Sequence, residues 1–130
     1  MGALFNHVDL VVSSLDRSLP FYRELLRLLG DDGEGTIEGE RGEQVHYLGS
    51  GLGLREHQSD GSVDRYALGL HHLAFDAASR AVVDRVGAWA ADVESGPGEY
   101  HYSPGYYAVF FYDPDGLKLE VVHQPARAAA

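Results

Sequence analysis

FNHVDLVVSSLDRSLPFYRELL, residues 5–26, reads as a strand that runs straight into a helix. Residues 4–12 are rich in β-branched and apolar types, which predicts a strand. Beyond Ser13 and Ser14, either of which can cap a helix, Leu19, Tyr22, Leu26 and Leu29 recur at helical spacing and predict a helix over 15–29. Pro20 is costly in a helix interior, so it is placed in the first regular turn, after a looser start at Leu15–Arg17. Gly30 ends the helix. Three short strand candidates follow at 35–39, 44–49 and 52–58, with turns at Glu40–Glu43 and Gly49–Gly51.

After a polar linker at 59–66 the same order returns. GLHHLAFD (69–76) reads as a strand, and 78–93 as a helix with Val82, Val86, Trp89, Ala90 and Val93 on one face. Gly96-Pro97-Gly98 breaks the chain, and strands are expected at 99–103, 106–112 and 117–123, the last two joined by the turn Asp113-Pro114-Asp115-Gly116. Each half is β-α-β-β-β, which points to an internal duplication. Two matches share one offset of 65: Asn6-His7-Val8 with His71-His72-Leu73, and Gly51-Leu52-Gly53-Leu54 with Gly116-Leu117-Lys118-Leu119. The expected fold is α+β, one domain with module one at 1–60 and module two at 67–124. The two modules would form a curved mixed sheet, a cup with the helices outside. The tail from Pro125 to Ala130 reads as frayed.

Composition narrows the function. With 130 residues, 45% hydrophobic and 23% charged, the chain has apolar material for one core without staples. It contains no cysteine, which excludes disulfides, thiol nucleophiles and iron–sulfur clusters. A net charge of -10 argues against nucleic acid and anionic membranes as partners. No stretch approaches the ~20 apolar residues of a spanning helix. The start lacks a signal peptide's basic and apolar regions, so a cytoplasmic location is expected.

Alternate strand residues point to opposite faces. Leu117, Leu119 and Val121 would face a helix, leaving Lys118, Glu120 and Val122 opposite. By the same parity Leu4, Val8, Leu10 and Val12 form an apolar face opposite Phe5, His7, Asp9 and Val11, and His72 shares a face with Leu70 and Ala74. His7, His72 and Glu120 therefore all lie on faces turned away from the helices. Singly, each is a sheet histidine or an edge charge; together, on repeat-related strands, two imidazoles and a carboxylate make a divalent-metal set with positions left open.

FNHVDLVVSSLDRSLPFYRELL, GLHHLAFD and FFYDPDGLKLEVVH together resemble the vicinal oxygen chelate superfamily: glyoxalases, bleomycin- and fosfomycin-resistance proteins, and type I extradiol dioxygenases. The resemblance spans essentially the whole chain. It implies paired βαβββ modules, a metal ion held by His7, His72 and Glu120, a small-molecule substrate, and a homodimer. The fold hosts several reactions and does not choose among them.

Glyoxalase I-like members add a ligand from the last strand of the first module, usually Glu. The offset places Arg55 there, and Glu56 beside it falls on the helix-facing side unless a bulge turns it inward. Arg55 would bind a substrate carboxylate or pair with a nearby acid. Two His and one carboxylate resemble the extradiol dioxygenases and fosfomycin-resistance enzymes. His57, 15 residues before His72, matches the spacing of an extradiol acid–base histidine, or is a solvated strand-end residue. His101 opens HYSPGYYAVFFYDPDGLKLE, which resembles the extradiol signature, or is a loop histidine. Phe110 stands where that signature has Tyr, and Tyr112, of the same parity, is the candidate substitute. Tyr100, Tyr102, Tyr106 and Tyr107 would line an aromatic pocket or serve as ordinary strand residues. The resemblance favours Fe2+ or Mn2+, with Zn2+ or Ni2+ open, and a dioxygenase-like reaction. The alternatives are a non-redox lyase or isomerase, and a resistance or drug-binding protein.

Overall fold

A computed structural model describes residues 5–125, so Leu4 and residues 126–130 lie outside the described residues. The chain divides between Gly61 and Ser62 into two units. The first contains β1 (Val8–Val12), α1 (Leu15–Leu29), β2 (Glu34–Glu38), β3 (Gln44–Leu48) and β4 (Leu52–Glu56). The second contains β5 (Leu73–Asp76), α2 (Arg80–Trp89), β6 (Val93–Glu99), β7 (Tyr107–Tyr112) and β8 (Lys118–His123). The sheets run β1-β4-β3-β2 and β5-β8-β7-β6. In each, the first strand lies parallel to the last and the remaining pairs are antiparallel. Two βαβββ modules in an α+β fold are thus what the chain forms.

Helix α1 covers the residues its spacing predicts. Ser14 caps it by accepting from the Arg17 N–H. Gly30, at φ 83°, closes it, with Gly30 N–H bonded to Arg27 O at 3.0 Å and Asp31 N–H to Leu26 O at 2.9 Å. These paired bonds satisfy carbonyls that a helix end otherwise leaves open. The start is regular from Leu15, so Pro20 falls in the second turn rather than the first. Its missing N–H is tolerated there because capping and the burial of Tyr22, Leu25 and Leu26 hold the helix. Each such side chain contributes about 1.5–3 kcal/mol when fully buried. These residues share a core with Leu10, Val12, Leu48, Leu52 and Leu54.

The second unit repeats this plan with a shorter helix. Ser79 caps α2 by accepting from the Val82 N–H, and Trp89 packs edge-on against Phe111 at 6.3 Å. Leu119, Val121, Val109 and Phe111 form the buried sheet side of this core. One expected strand moves. The segment expected at 99–103 is a turn, and the strand lies at 93–99 instead, with Gly96-Pro97-Gly98 inside it. Proline has no N–H for a ladder, and an edge strand accommodates it through irregular pairing. The β6–β7 register shifts between Val93 and Ser95 and again between Ser95 and Gly98. The helix approaches this irregular stretch closely: a Cβ on Gly87 would stand 2.4 Å from Pro97 Cγ. The first strand of the unit also begins later than expected, at Leu73.

Candidate metal centre

Register sets the second unit's site. Ala74 lies opposite Glu120 and Phe110 lies opposite Glu120 from the other side, so all three share the sheet face away from α2. His72 precedes Ala74 by two residues and joins that face. Its Nε2 is 3.2 Å from Glu120 Oε1. Glu120 is only 3% exposed, and a buried carboxyl needs partners for both oxygens. The Tyr106 hydroxyl supplies the second by donating to Oε2. Burial first, then this bond, pushes the Tyr106 phenol well above its usual range.

His72 Nδ1 faces His71 Nδ1 at 2.8 Å. If His72 is the donor in this contact, its Nε2 lone pair is free for a metal ion, and His71 sets that tautomer. Burial, then the neighbouring His72, Lys118 and Arg65, lower the His71 pKa, which favours the neutral ring that such an acceptor requires. The pair fits a shared ion. Two donors each ~2.1 Å from one ion, at tetrahedral or octahedral angles, stand about 3.0–3.4 Å apart. Among the described residues, no three His, Asp or Glu side chains are grouped as a complete metal site.

Two residues along β8, a charged group surrounds Glu94. Lys118 Nζ lies 2.9 Å from Glu94 Oε2, Arg65 Nη2 lies 2.9 Å from Oε1, and the Tyr112 hydroxyl donates to Oε1. The Tyr112 bond first, then Lys118 and Arg65, lower the Glu94 pKa to about 2. Tyr112 is therefore committed to Glu94.

The corresponding face of the first unit carries different chemistry. Arg55 bonds Asp9 at 2.6 Å, Glu40 at 3.0 Å and Glu43 at 3.2 Å. Tyr47 donates to Asp9 at 3.3 Å. Of the two readings open for Arg55, pairing with nearby acid is the one seen. Glu56 Oε1 accepts from the Leu15 N–H at 3.0 Å, so it lies on the helix-facing side and caps α1. His7 is exposed, bonds Asn6 through Nδ1 at 2.7 Å and meets the Tyr47 ring edge-on at 5.8 Å.

The register also refines the repeat. Ala74 is opposite Glu120, whereas Asp9, its counterpart at an offset of 65, is opposite Gly53. Relative to β5 on β8, β1 is slid by two residues along β4. His72 therefore reaches Glu120 diagonally, while the diagonal neighbour of His7 is Gly53. The space where a Gly53 side chain would begin is filled: a Cβ there would be 2.3 Å from Asp9 Oδ1 and 2.9 Å from Tyr47 Cε1.

The remaining candidates lie in loops. His57 is exposed after β4, with Nδ1 3.2 Å from Ser59 O. His101 is exposed in the turn after β6, its ring 4.8 Å from that of Tyr102. Around it, Tyr100 and Tyr102 stack within 2° at 5.8 Å, Tyr100 meets Phe110 edge-on, and Tyr102 meets Tyr106 edge-on. Sequence reasoning missed the link from Tyr106 to Glu120. The signal was present, since Tyr106 shares the parity of Ala108 and Phe110, which face the same side as Glu120.

A chain of two βαβββ units, the second with an imidazole–carboxylate pair on its open sheet face, belongs to the class built from duplicated modules of this kind. The family model of the Glyoxalase/Bleomycin resistance protein/Dioxygenase superfamily matches residues 4–121, and the chain belongs to that superfamily. No curated protein matches it. Among solved structures it is similar to a protein of Bacillus halodurans assigned as a glyoxalase, at 28% identity and TM-score 0.72, covering 93% of this chain and 96% of that one. It is also similar to a glyoxylase/bleomycin resistance protein/dioxygenase domain from Frankia sp. EAN1pec, at 26% identity and TM-score 0.68, covering 95% and 98%. The fosfomycin resistance protein FosX from Listeria monocytogenes shares the fold at 18% identity and TM-score 0.60, with each chain covered in full. Among the described residues, no helix is long and apolar enough to cross a membrane.

Proposed function

We propose that this chain is a divalent-metal-dependent enzyme acting on a small substrate that chelates the ion through adjacent oxygens. His72 and Glu120 are two ligands and His7, by the repeat, is the third. The observation that carries this reading is the 3.2 Å contact between His72 Nε2 and Glu120 Oε1. A buried carboxyl facing an imidazole whose tautomer a second histidine can set is the kind of donor set that holds Fe2+ or Mn2+, and also Zn2+ or Ni2+. When bound, the ion supplies a Lewis acid for a substrate oxyanion and, as iron, access to oxygen chemistry.

A dioxygenase-like reaction on a catechol-like substrate is the first reading. The stacked Tyr100 and Tyr102 rings offer flat surfaces to a planar substrate. In this reading the exposed His57 moves protons and the exposed His101 holds a substrate oxygen. One observation favours a non-redox lyase, isomerase or transferase instead: Phe110 lies opposite Glu120, and the Tyr112 phenol is engaged by Glu94. A glyoxalase-type base from β4 is the weaker form of that alternative, because Gly53 and the paired Arg55 offer no carboxylate. We further propose a cytoplasmic homodimer, which light scattering on the purified chain tests.

The deciding experiment is elemental analysis of protein purified without added metal, beside the His7→Ala, Glu120→Ala double variant. Iron or manganese near one ion per chain, lost in the variant, is the expected result. Zinc or nickel moves the assignment to the non-redox reading. A chain that holds no metal even on reconstitution is a small-molecule binding protein, and the proposal is then wrong.

A further inference from the structure

Lys118 is the chain's only lysine, and just 15% of its side chain is exposed. Its Nζ lies over the Phe110 ring at 4.8 Å. Arg65 comes to it from the segment before β5. The Arg65 Cζ lies over the Tyr66 ring at 5.5 Å and over the Tyr112 ring at 5.8 Å, where the electron-rich ring faces attract a cation. Glu94 ties the two cations together, with Oε1 on Arg65 and Oε2 on Lys118.

Both cations line a cavity of about 410 Å³, whose lining also includes Val63, Asp64, Tyr66 and Tyr112. Glu94 holds them from outside this lining. A guanidinium has five N–H groups and an ammonium three. Arg65 reaches Glu94 and Tyr112 through Nη2, so its Nε and Nη1 have no partner among the described residues. Lys118 uses one N–H on Glu94. Two cations are thus fixed side by side with donors still unengaged.

We propose that this cavity binds the carboxylate of a small aromatic acid between Arg65 and Lys118, with the acid's ring against Tyr66. All of these residues lie in the second unit and none is a proposed metal ligand, so binding requires no metal ion. Charge selects the class. Glu94 cancels one of the two cations, which leaves one positive charge for a monoanion; a phosphate dianion exceeds it. Asp64 is exposed, so water and salt screen it, and its Oδ1 accepts from the Tyr66 N–H at 3.0 Å. Geometry agrees, because the planar fork of arginine matches both oxygens of a carboxylate. Tyr66 and Val63, both exposed, offer apolar surface to the body of the acid.

The test uses the full chain stripped of metal with EDTA and titrated with benzoate by calorimetry. Saturable binding at one site per chain is expected, with benzamide, of the same shape but neutral, about tenfold weaker. Lys118→Met and Arg65→Met should each lower benzoate affinity about tenfold. A second measurement needs no variant, because the wild type has a single lysine. At a benzoate concentration about ten times its Kd, reductive methylation of Lys118, read by peptide mass spectrometry, should slow about tenfold while butylamine in the same tube reacts unchanged. Equal affinity for benzoate and benzamide, or unslowed methylation of Lys118 at saturating benzoate, would overturn the site. Phosphate bound as tightly as benzoate would overturn the ligand class. No saturable binding of benzoate would overturn the proposal outright, whatever metal the chain holds.

Discussion

The two units share an element order and a strand order, yet their open sheet faces do opposite things with charge. In the first, a single cation, Arg55, is closed in by three acids, Asp9, Glu40 and Glu43. In the second, Glu120 is buried with one oxygen on an imidazole and the other on a phenol. A duplicated scaffold preserves the helix-facing core, because that face must remain apolar for the helix to pack. The opposite face is free to diverge. Here one copy gathers three acids around an arginine, and the other holds a buried carboxyl between an imidazole and a phenol.

The sharpest way to break that comparison is to exchange the charges. Glu120→Ala should abolish stoichiometric Mn2+ or Fe2+ binding, read by titration calorimetry, because the proposed site loses its carboxylate. Arg55→Glu should give no gain in metal affinity. It places a further carboxylate among Asp9, Glu40 and Glu43, with no cation between them, and should lower the melting temperature instead. A rise in affinity for Arg55→Glu would show that this position, rather than Gly53, is equivalent to Glu120, and would undo the two-residue slide of β1.

Much of this layout was legible in the sequence, for identifiable reasons. Helix α1 was readable because its apolar spacing and Gly30 both mark it and agree. The parity of His72, Glu120 and Glu56 was readable because a period of two leaves little choice within short strands. The position of β6 was not, since Gly96-Pro97-Gly98 signals a break in any local reading, and only pairing with β7 shows that an edge strand carries it. The slide of β1 on β4 was hidden for a related reason: an offset compares residues along one chain, whereas register is a relation between strands. The Glu94 network was equally out of reach, because its members come from the segment before β5 and from β6, β7 and β8.

That network gives the second unit a dependence on acid that can be isolated. Glu94 has a folded pKa lowered to about 2 from an ordinary value of 4.5. A carboxyl depressed on folding contributes stability that is fully present above its unfolded pKa and is lost as pH falls through the folded one. Denaturant unfolding of the wild type should therefore lose stability between about pH 5 and pH 2, and Glu94→Gln should flatten that limb while already being less stable at pH 7. An unchanged acid limb in Glu94→Gln would mean that Lys118, Arg65 and Tyr112 do not hold this carboxylate in solution.

The smallest effect separates two helices that begin with the same device. Ser14 and Ser79 each accept from the N–H three residues on, at 3.4 and 3.3 Å. Loss of such a cap costs about 0.5–2 kcal/mol. Helix α1 has a second acceptor at its start, because Glu56 reaches across from β4 to the Leu15 N–H and brings a negative charge to the positive end of the helix dipole. With one orphan N–H still satisfied and the dipole still opposed, Ser14→Ala should lie near the low end of that range and Ser79→Ala near the high end. Adding Glu56→Gln to Ser14→Ala should bring the two helices closer together, since the amide oxygen still accepts but no longer carries charge. Equal costs for the two single serine variants, measured by urea unfolding, would show that the cross-strand carboxylate contributes nothing to α1, and Glu56 would again be available for a role elsewhere.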